Sequence, residues 1–292
     1  MVYVAGVGAP EASGETLRVG VAQSAGATVS NVNAAAVTLA RLEELCSRLA
    51  RALGVRVRAV QPKSYEELGR DVADGRIELA WLPPVVASRL AQAGRVLPLA
   101  LPVRRGKATF YTALFVREDS PITTLDQLKS VRAAWVDPSS ASGYAVIRAA
   151  LRTTGRRVSQ AIGSEHFEGS HQGVVRAVLE GRADVGATYC QREPGGGVLR
   201  GGWGDAKVRV LLDYGPIPSD ILAVGMKVPG PVIQRLRQLI VLPGEPLVIG
   251  ALRELFEAEG FVRAEPAHFA PLASLLAHLD AGPVGPSVAP GC

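Results

Sequence analysis

Residues 137–144 have the side chains and the position that a site for a small anion needs. Their sequence, Asp-Pro-Ser-Ser-Ala-Ser-Gly-Tyr, lies between a predicted strand and a predicted helix. The first N–H groups of a helix have no partner within it and lie at the positive end of its dipole, so they attract anions, and the hydroxyl groups add further donors. An ordinary helix N-cap is the alternative, because Ser and Asp are common caps. The candidate ligand-binding residues here are Ser139, Ser140, Ala141, Ser142 and Gly143.

Four other residues have side chains that donate hydrogen bonds or shape a pocket. His171 lies at the start of another predicted helix, where a ring N–H would donate to an oxyanion; a surface or helix-capping histidine is the alternative. Tyr65 and Tyr111 carry phenol groups suited to closing a cleft, although a buried tyrosine with a satisfied hydroxyl is the commoner case. Trp81 ends a predicted strand, and it forms either a wall of the pocket or part of the core.

The sequence has no motif that indicates catalysis or a cofactor. It contains no G-x-S-x-G elbow, phosphate loop, dinucleotide-binding turn or H-E-x-x-H helix. The serines of residues 139–142 and His171 have the types of a nucleophile and its base, but no third member or oxyanion partner accompanies them. Cys46, Cys190 and Cys292 lack the spacing of metal ligands or of a disulfide framework. We therefore expect a binding protein that is not an enzyme and uses no metal or cofactor.

Charge and hydropathy exclude two further classes of protein. The net charge is +5, from 32 basic and 27 acidic residues, and the two signs are interspersed without a basic block or an aromatic-plus-basic stripe. A nucleic-acid-binding role therefore has little support. No apolar run approaches the ~20 residues that cross a bilayer.

The first 15 residues bear on where the protein is located. They are small and Gly/Ala-rich, and they lack the charged and apolar regions of a secretory signal. We expect a periplasmic or cell-envelope protein if a leader has been trimmed, and a cytoplasmic protein if Met1 is the native start. We also expect a monomer.

The first part of the chain alternates strands with helices. Leucines at positions 39, 42, 45 and 49 form one stripe of a helix over residues 34–53. Ser64 and Glu67 form a predicted capping box at the start of a second helix, 64–74. A βαβαβ order predicts a parallel sheet covered by helices. The predicted strands are 17–22, 55–60 and 77–82.

The same alternation restarts after residue 109 and predicts a second lobe. Predicted strands cover 110–117, 132–136, 183–188, 205–212 and 221–224, and predicted helices cover 124–129, 145–154, 171–180, 231–239, 246–259 and 271–279. We expect an α/β protein of two lobes, each a mostly parallel sheet flanked by helices, with the ligand in the cleft between them. The predicted division is a disordered leader at 1–16, a first lobe at 17–111 and 213–281, a second lobe at 112–212 reached by two hinge crossings, and a flexible tail at 282–292.

Several segments, taken in their order and spacing, carry a resemblance to a known family. They are 64–68 (SYEEL), 74–84 (DGRIELAWLPP), 111–117 (YTALFVR), 119–122 (DSPI) with Leu125 and Leu128, 137–144 (DPSSASGY), 169–171 (GSH), 175–184 (VRAVLEGRAD) and 216–220 (PIPSD). In these segments the chain resembles the phosphonate-, phosphite- and phosphate-binding components of ABC importers, which have the type II periplasmic-binding-protein fold. The resemblance implies a solute-binding protein that captures a small phosphorus oxyanion by hinge closure and works with a membrane permease.

The resemblance also implies roles for individual residues. Ser140 and Ser142, with the N–H groups around Ala141 and Gly143, would hold the phosphonate oxygens. His171 would donate to them from a second helix end, and Tyr65 and Tyr111 would close the pocket. Asp220 matches an acidic position that faces the ligand's amine in aminophosphonate binders.

Two departures from the family pattern bear on the ligand. Ala141 stands where the family has a hydroxyl side chain, so one donor is missing, and Gln191 stands at a second acidic position. Both changes favour phosphite, a methylphosphonate or a phosphate ester over an aminoalkylphosphonate. The alternatives to transport are an intracellular sensing or accessory module on the same fold, and an enzyme that acts on a small molecule held in the cleft.

Overall fold

The computed structural model describes residues 16–23, 34–193, 195–241 and 244–280. The predicted tail at 282–292 and the predicted leader, apart from Thr16, lie outside these residues, as does Cys292. The first described elements alternate strand and helix. They are β1 (Thr16–Val21), α1 (Ala34–Leu53), β2 (Arg56–Val60), α2 (Tyr65–Asp74), β3 (Leu79–Leu82), α3 (Pro84–Gln92) and β4 (Val96–Val103).

The second run of elements begins with a long strand and includes two short non-α turns. They are β5 (Thr109–Arg117), a 3-10 turn (Leu125–Gln127), β6 (Val131–Trp135), a π-helical turn (Ala141–Ala145), α4 (Val146–Thr153), α5 (Val158–Ala161), β7 (Ile162–Phe167), α6 (His171–Leu179), β8 (Val185–Arg192), β9 (Val198–Gly201) and β10 (Val208–Pro218). The last described part contains β11 (Ile221–Gly225), α7 (Gly230–Ile240), α8 (Pro246–Phe256), β12 (Gly260–Arg263) and α9 (Pro266–Asp280).

Two helix signals in the first part of the chain, the leucine stripe and the Ser64 N-cap, are present as the sequence predicts, but the predicted capping box is not. Leu42, Leu45 and Leu49 of α1 are all fully buried, which confirms the predicted apolar stripe. The hydroxyl of Ser64 accepts a hydrogen bond from the N–H of Glu67, so Ser64 is the N-cap of α2. The Glu67 carboxylate accepts from Lys63 N–H instead of Ser64 N–H, so the predicted capping box is displaced by one residue.

The described strands form two sheets with helices on their faces, and the protein has two lobes. The strand order is β12-β4-β11-β3-β1-β2 in the first sheet and β10-β5-β8-β6-β7 in the second, where β9 pairs with β8. The expectation of mostly parallel sheets is wrong, because only two of the five strand pairings in each described sheet are parallel. In the first sheet the reason is the path of the chain: β11 returns from the second sheet, inserts between β3 and β4 and runs antiparallel to both. In the second sheet, β5 pairs antiparallel with both β10 and β8.

The two crossings between the sheets are paired with each other. Thr109 at the start of β5 lies opposite Pro218 at the end of β10, and Phe110 lies opposite Ile217. The N–H of Ser219 then donates to the carbonyl of Ala108 at 2.9 Å. The crossings therefore form one two-stranded antiparallel ribbon, and the chain leaves this ribbon directly into β11.

The last described helix, α9, packs against elements of both lobes. It contacts α3, which follows a strand of the first sheet, and it contacts α4 and β10 of the second. Leu272, Leu275 and Leu276 of α9 share an apolar cluster with Val85 of α3 and Ala141 of the π-helical turn. None of the described helices combines the length and the apolar character that crossing a membrane requires.

Candidate functional site

Three parallel strands of the second sheet, β7, β6 and β8, bring the main candidates together at one end of the strands. In the ladders of β6 with β7 and β8, Trp135 lies opposite Phe167 and Ala134 lies opposite Gly186. Because parallel strands end on the same side, the segments that follow β6 and β7 start next to each other. The N–H of Gly169 donates to the carbonyl of Val136 at 3.0 Å and ties these two segments together.

The loop of residues 137–143 is organised by its own hydrogen bonds. The Asp137 carboxylate accepts from Ser139 N–H at 2.7 Å, and the Asp137 carbonyl accepts from Ser140 N–H at 3.0 Å. The Ser140 hydroxyl accepts from Gly143 N–H at 3.0 Å, so Ser140 is the N-cap of the helical turn. The next two N–H groups, of Ala141 and Ser142, occupy the first helical positions, where no acceptor exists within the helix.

Ser142 is the largely buried serine of this loop. The residue is 5% exposed, and no hydrogen bond joins its hydroxyl to any other described residue. Its carbonyl accepts a hydrogen bond of 2.6 Å from the hydroxyl of Thr112, a fully buried residue of β5. Thr112 thereby anchors the loop to the neighbouring strand while the Ser142 hydroxyl and N–H stay available.

Gly143 allows the loop to lie directly on the end of β6. A Cβ atom at this position would lie 2.3 Å from a methyl carbon of Val136 and 2.8 Å from the Ser140 hydroxyl oxygen. The Gly143 carbonyl also accepts from Val136 N–H at 3.2 Å. This position therefore requires glycine because of close contact, and its backbone angles are not in the left-handed region.

His171 is the first residue of α6 and is held by a residue that the sequence analysis did not select. Its Nδ1 lies 2.8 Å from the hydroxyl of Thr188, which is fully buried on β8. The ring also packs edge-on against Tyr189, with centroids 5.0 Å apart. Burial lowers the pKa of His171 to about 4, so the imidazole is neutral near pH 7. When the Thr188 hydroxyl donates to Nδ1, the proton of the ring is on Nε2, which becomes a donor.

Tyr111 and Gln191 lie close to the crossing strands. Tyr111 pairs with Cys190 in the ladder between β5 and β8, and its ring lies 5.3 Å from the guanidinium carbon of Arg192. The Gln191 side-chain oxygen accepts from Nη1 of Arg105 at 2.6 Å. Gln191 is therefore engaged with a residue from the turn that follows β4.

Trp81, Asp220 and Tyr65 belong to the side of the first sheet. The Trp81 ring packs edge-on against Phe256 with centroids 3.8 Å apart, and its indole group hydrogen-bonds Asp220. Burial raises the pKa of Asp220, while the charge of Arg104 and the hydrogen bond from Trp81 oppose that rise. Tyr65 is the first residue of α2 and is half-buried against an apolar cluster.

The structure thus places the candidates in three groups. The 137–143 loop and His171 lie together at the edge of the second sheet, Tyr111 and Gln191 lie on adjacent strands beside the crossings, and Trp81 and Asp220 form a pair in the first lobe. Val85 of α3 packs in the same apolar cluster as Ala141, so the start of α3 contacts the 137–143 loop, whereas Trp81 packs in a different cluster with Phe256. The described residues contain no group of three His, Cys, Asp or Glu that would hold a metal ion.

Comparison with known proteins connects this geometry to a family. Residues 28–269 match the family model described as "ABC transporter, phosphonate, periplasmic substrate-binding protein". A search of solved structures finds XAC2383 from Xanthomonas citri bound to chloride ion, with 23% identity, a TM-score of 0.72, and coverage of 90% of this chain and 97% of that chain.

Two further solved structures have the same fold. A binding protein component of the ABC phosphonate transporter of Pseudomonas aeruginosa has 16% identity, a TM-score of 0.66, and coverage of 90% of this chain and 86% of that chain. PhnD1 from Prochlorococcus marinus in complex with methylphosphonate has 15% identity, a TM-score of 0.65, and coverage of 91% and 99%, respectively.

Proposed function

Because the chain belongs to the family of periplasmic phosphonate-binding proteins of ABC transporters, we propose that it captures a small phosphorus oxyanion between its two lobes. The observation that carries the proposal is the 137–143 loop, where the N–H groups of Ala141 and Ser142 and the hydroxyl of the largely buried Ser142 have no described partner. Such a set of donors at a helix start suits an anion with several oxygen atoms.

Neutral donors would bind the oxyanion without a cationic side chain. His171 supplies a ring N–H from the adjacent helix start, and its low pKa keeps the ring neutral across the physiological range. Hydrogen bonds from neutral donors to a charged acceptor are stronger than those between neutral groups, and burial strengthens them further. Ser139 and Ser140 add hydroxyls at the mouth of the loop, and Tyr65 and Tyr111 close the pocket from the first lobe and the crossing.

Closure of the lobes would accompany binding. The 137–143 loop belongs to the second sheet, whereas Val85 contacts its apolar cluster from the first. A ligand that contacts both sides stabilises the closed arrangement over open ones. The family description supports delivery of the captured ligand to a membrane permease, and it supports a binding protein without catalytic activity.

Isothermal titration combined with small-angle scattering tests the proposal. The purified protein is titrated with phosphite, phosphate, methylphosphonate and 2-aminoethylphosphonate, and also with ATP, which one solved structure of XAC2383 contains. We expect micromolar or tighter binding of at least one of these anions, with a smaller radius of gyration in its presence. A folded protein that binds none of them would overturn the proposal, and consumption of a bound ligand would show that the protein is an enzyme.

A further inference from the structure

Tyr189 is an exposed aromatic residue on a strand that lies inside the second sheet. Strand β8 lies between β5 and β6, and its residues Thr188 and Cys190 are fully buried. Tyr189, between them, is 38% exposed. Successive side chains of a strand point to opposite faces, so the exposed ring marks a place where the sheet is not fully covered.

The pairing of β8 with β6 places Tyr189 at the level of the 137–143 loop. The two strands are parallel, and Ala134 of β6 lies opposite Gly186 of β8. Continuing this register by three residues brings Tyr189 to the level of Asp137, the first residue of the loop. Strand β6 has ended by this point, so β8 extends beside the loop instead of beside another strand.

The pairing of β8 with β5 brings Tyr189 close to the donors of the loop. Tyr189 lies directly opposite Thr112 in the antiparallel ladder. Side chains of such a pair share one face of the sheet, with Cβ atoms about 5 Å apart. The Thr112 hydroxyl donates to the carbonyl of Ser142 at 2.6 Å. The Tyr189 side chain therefore begins on the face where Thr112 meets the loop.

Two contacts fix the Tyr189 ring. It packs edge-on against the imidazole of His171, with centroids 5.0 Å apart and an angle of 79° between the ring planes. The turn after β9 lies against another part of the residue: the N–H of Gly202 donates to the Tyr189 carbonyl at 2.9 Å, and a Cβ atom at Gly202 would lie 3.2 Å from Cε1 of the ring. The ring is thus held on two sides and exposed on the remainder.

This position suits contact with the organic part of a bound oxyanion. A phosphonate whose oxygens accept from Ser142 and His171 still has its carbon substituent to accommodate. Tyr189 borders both donors and presents an aromatic surface there. Aromatic rings pair favourably with other rings, edge-on or offset, and a ring that is already fixed loses little conformational freedom on binding.

We propose that Tyr189 is a specificity-determining residue that receives the substituent of the oxyanion on its exposed surface. The inference rests on the proposed function, because it concerns the group attached to the oxyanion that the 137–143 loop would hold. It assigns the ligand to phosphonates and phosphate esters with an aromatic or other planar apolar substituent, in preference to inorganic anions and to the smallest alkylphosphonates.

A pair of ligands tests the inference. Phenylphosphonate and methylphosphonate carry the same anionic group and differ in the substituent, so their affinities are compared by isothermal titration. We expect phenylphosphonate to bind at least about tenfold more tightly to the natural protein, because the ring contact and the buried apolar area both add binding free energy. Tyr189→Ala should lower the affinity for phenylphosphonate by about tenfold or more and that for methylphosphonate by less than about threefold. The comparison of these ratios cancels any difference in charge between the two ligands.

Four further variants sharpen the result. Tyr189→Phe keeps the ring and should keep the preference, whereas Tyr189→Gln removes the ring with less loss of side-chain length and serves if Tyr189→Ala does not fold. Thr188→Val disturbs His171, which would contact oxygens that both ligands share, so it should weaken both alike. Met226→Ala removes an apolar side chain that is 52% exposed after β11 of the first sheet, and it should change neither affinity.

The outcomes separate this inference from the proposed function. Equal or weaker binding of phenylphosphonate to the natural protein would overturn the role of Tyr189 while the oxyanion site stands. An unchanged ratio in the folded Ala or Gln variant would overturn it as well, including the case in which both affinities fall equally, since Tyr189 would then act only through His171. Absence of binding to every phosphorus oxyanion would overturn the proposed function and the inference with it.

Discussion

The hydroxyl oxygen of Thr188 lies 2.8 Å from Nδ1 of His171, although the two residues are on different elements. Thr188 is fully buried on β8, and His171 begins α6. A histidine with one ring nitrogen held in this way presents the other nitrogen in a fixed direction. When the Thr188 hydroxyl donates to Nδ1, the pair provides a neutral, oriented N–H donor beside the 137–143 loop.

Replacement of Thr188 by Val should weaken oxyanion binding. The change keeps the shape of the side chain but removes the hydroxyl, so His171 loses its orienting bond and the Nε2–H is no longer favoured. We expect a loss of about 1 kcal/mol, or roughly fivefold in Kd, by isothermal titration. Thr188→Ser keeps the hydroxyl and should retain most of the affinity. Equal affinities of the Val and Ser variants would contradict the orienting role.

The buried imidazole should make the stability of the protein depend on pH below neutrality. Its pKa is about 4 when folded against an unfolded value of 6.5, so in this range the unfolded chain binds more protons. The free energy of unfolding should therefore fall as the pH drops from about 6.5 toward 4, by up to about 3 kcal/mol in total. Urea unfolding at pH 7 and pH 5 measures the difference.

His171→Gln should reduce this pH dependence, because glutamine does not titrate. His166→Gln, on the exposed strand β7, provides the matched control and should leave it nearly unchanged. If the His171 variant lost as much stability between the two pH values as the natural protein, another group would have to be responsible.

Ser140 and Ser142 should respond differently to replacement by Ala. Ser140 caps the helical turn, so Ser140→Ala should lower the free energy of unfolding by about 1 kcal/mol. The Ser142 hydroxyl has no described partner, so Ser142→Ala should leave stability within about 0.5 kcal/mol. Its main effect should be on affinity, and the double variant should lose at least about 2 kcal/mol of binding free energy. Unchanged affinity in the double variant would rule out this loop as the site.

Gly143→Ala should destabilise the protein and abolish tight binding. The added methyl group would meet Val136 at 2.3 Å, and the loop would have to move away from β6. We expect a loss of about 1–3 kcal/mol in unfolding free energy. Gly250→Ala is the control, because no atom lies within 4 Å of a Cβ at this position of α8 and a helical alanine should stabilise the protein slightly. Thermal unfolding of both variants compares the two effects.

The sequence predicts elements with a clear local signal and misses those without one. The leucine stripe of α1 and the Ser64 cap of α2 locate both helices. Strand β4 was not predicted, because Pro98 and Pro102 interrupt its apolar run, yet it lies inside the first sheet between β11 and β12. Strand β7 was missed as well, since it is an exposed edge strand without alternating apolar residues.

The sequence does not predict which side chains contact each other when they lie far apart in the chain. Thr112 lies 30 positions from Ser142 and Thr188 lies 17 positions from His171, and nothing local marks either threonine. Their contacts depend on the order of β5, β8 and β6 in the sheet, which the alternation of strands and helices does not determine. The same holds for Arg104, whose contact Phe256 lies 152 positions away in the chain.

Ala141 departs from the hydroxyl residue of the family pattern, and the structure gives a physical reason for an apolar side chain at this position. From the resemblance, alanine at this position removes a hydroxyl donor from the site. In the structure, Ala141 is buried in the apolar cluster that contains Val85 and Leu272, where an unpaired hydroxyl would be costly. The loop thus contributes to an apolar contact between the lobes at this position, and its N–H remains the donor.

The paired crossing strands also determine the mechanics of the molecule. Hydrogen bonds of an antiparallel pair are perpendicular to the strands, so sliding one crossing along the other breaks several bonds together, whereas bending both strands as a unit breaks none. The paired residues Thr109–Pro218 and Phe110–Ile217 therefore resist sliding of one crossing strand along the other, while the two strands remain able to bend together. In the proposed closure of the lobes, such a joint would let the two sheets bend relative to each other without breaking the hydrogen bonds that pair the crossings.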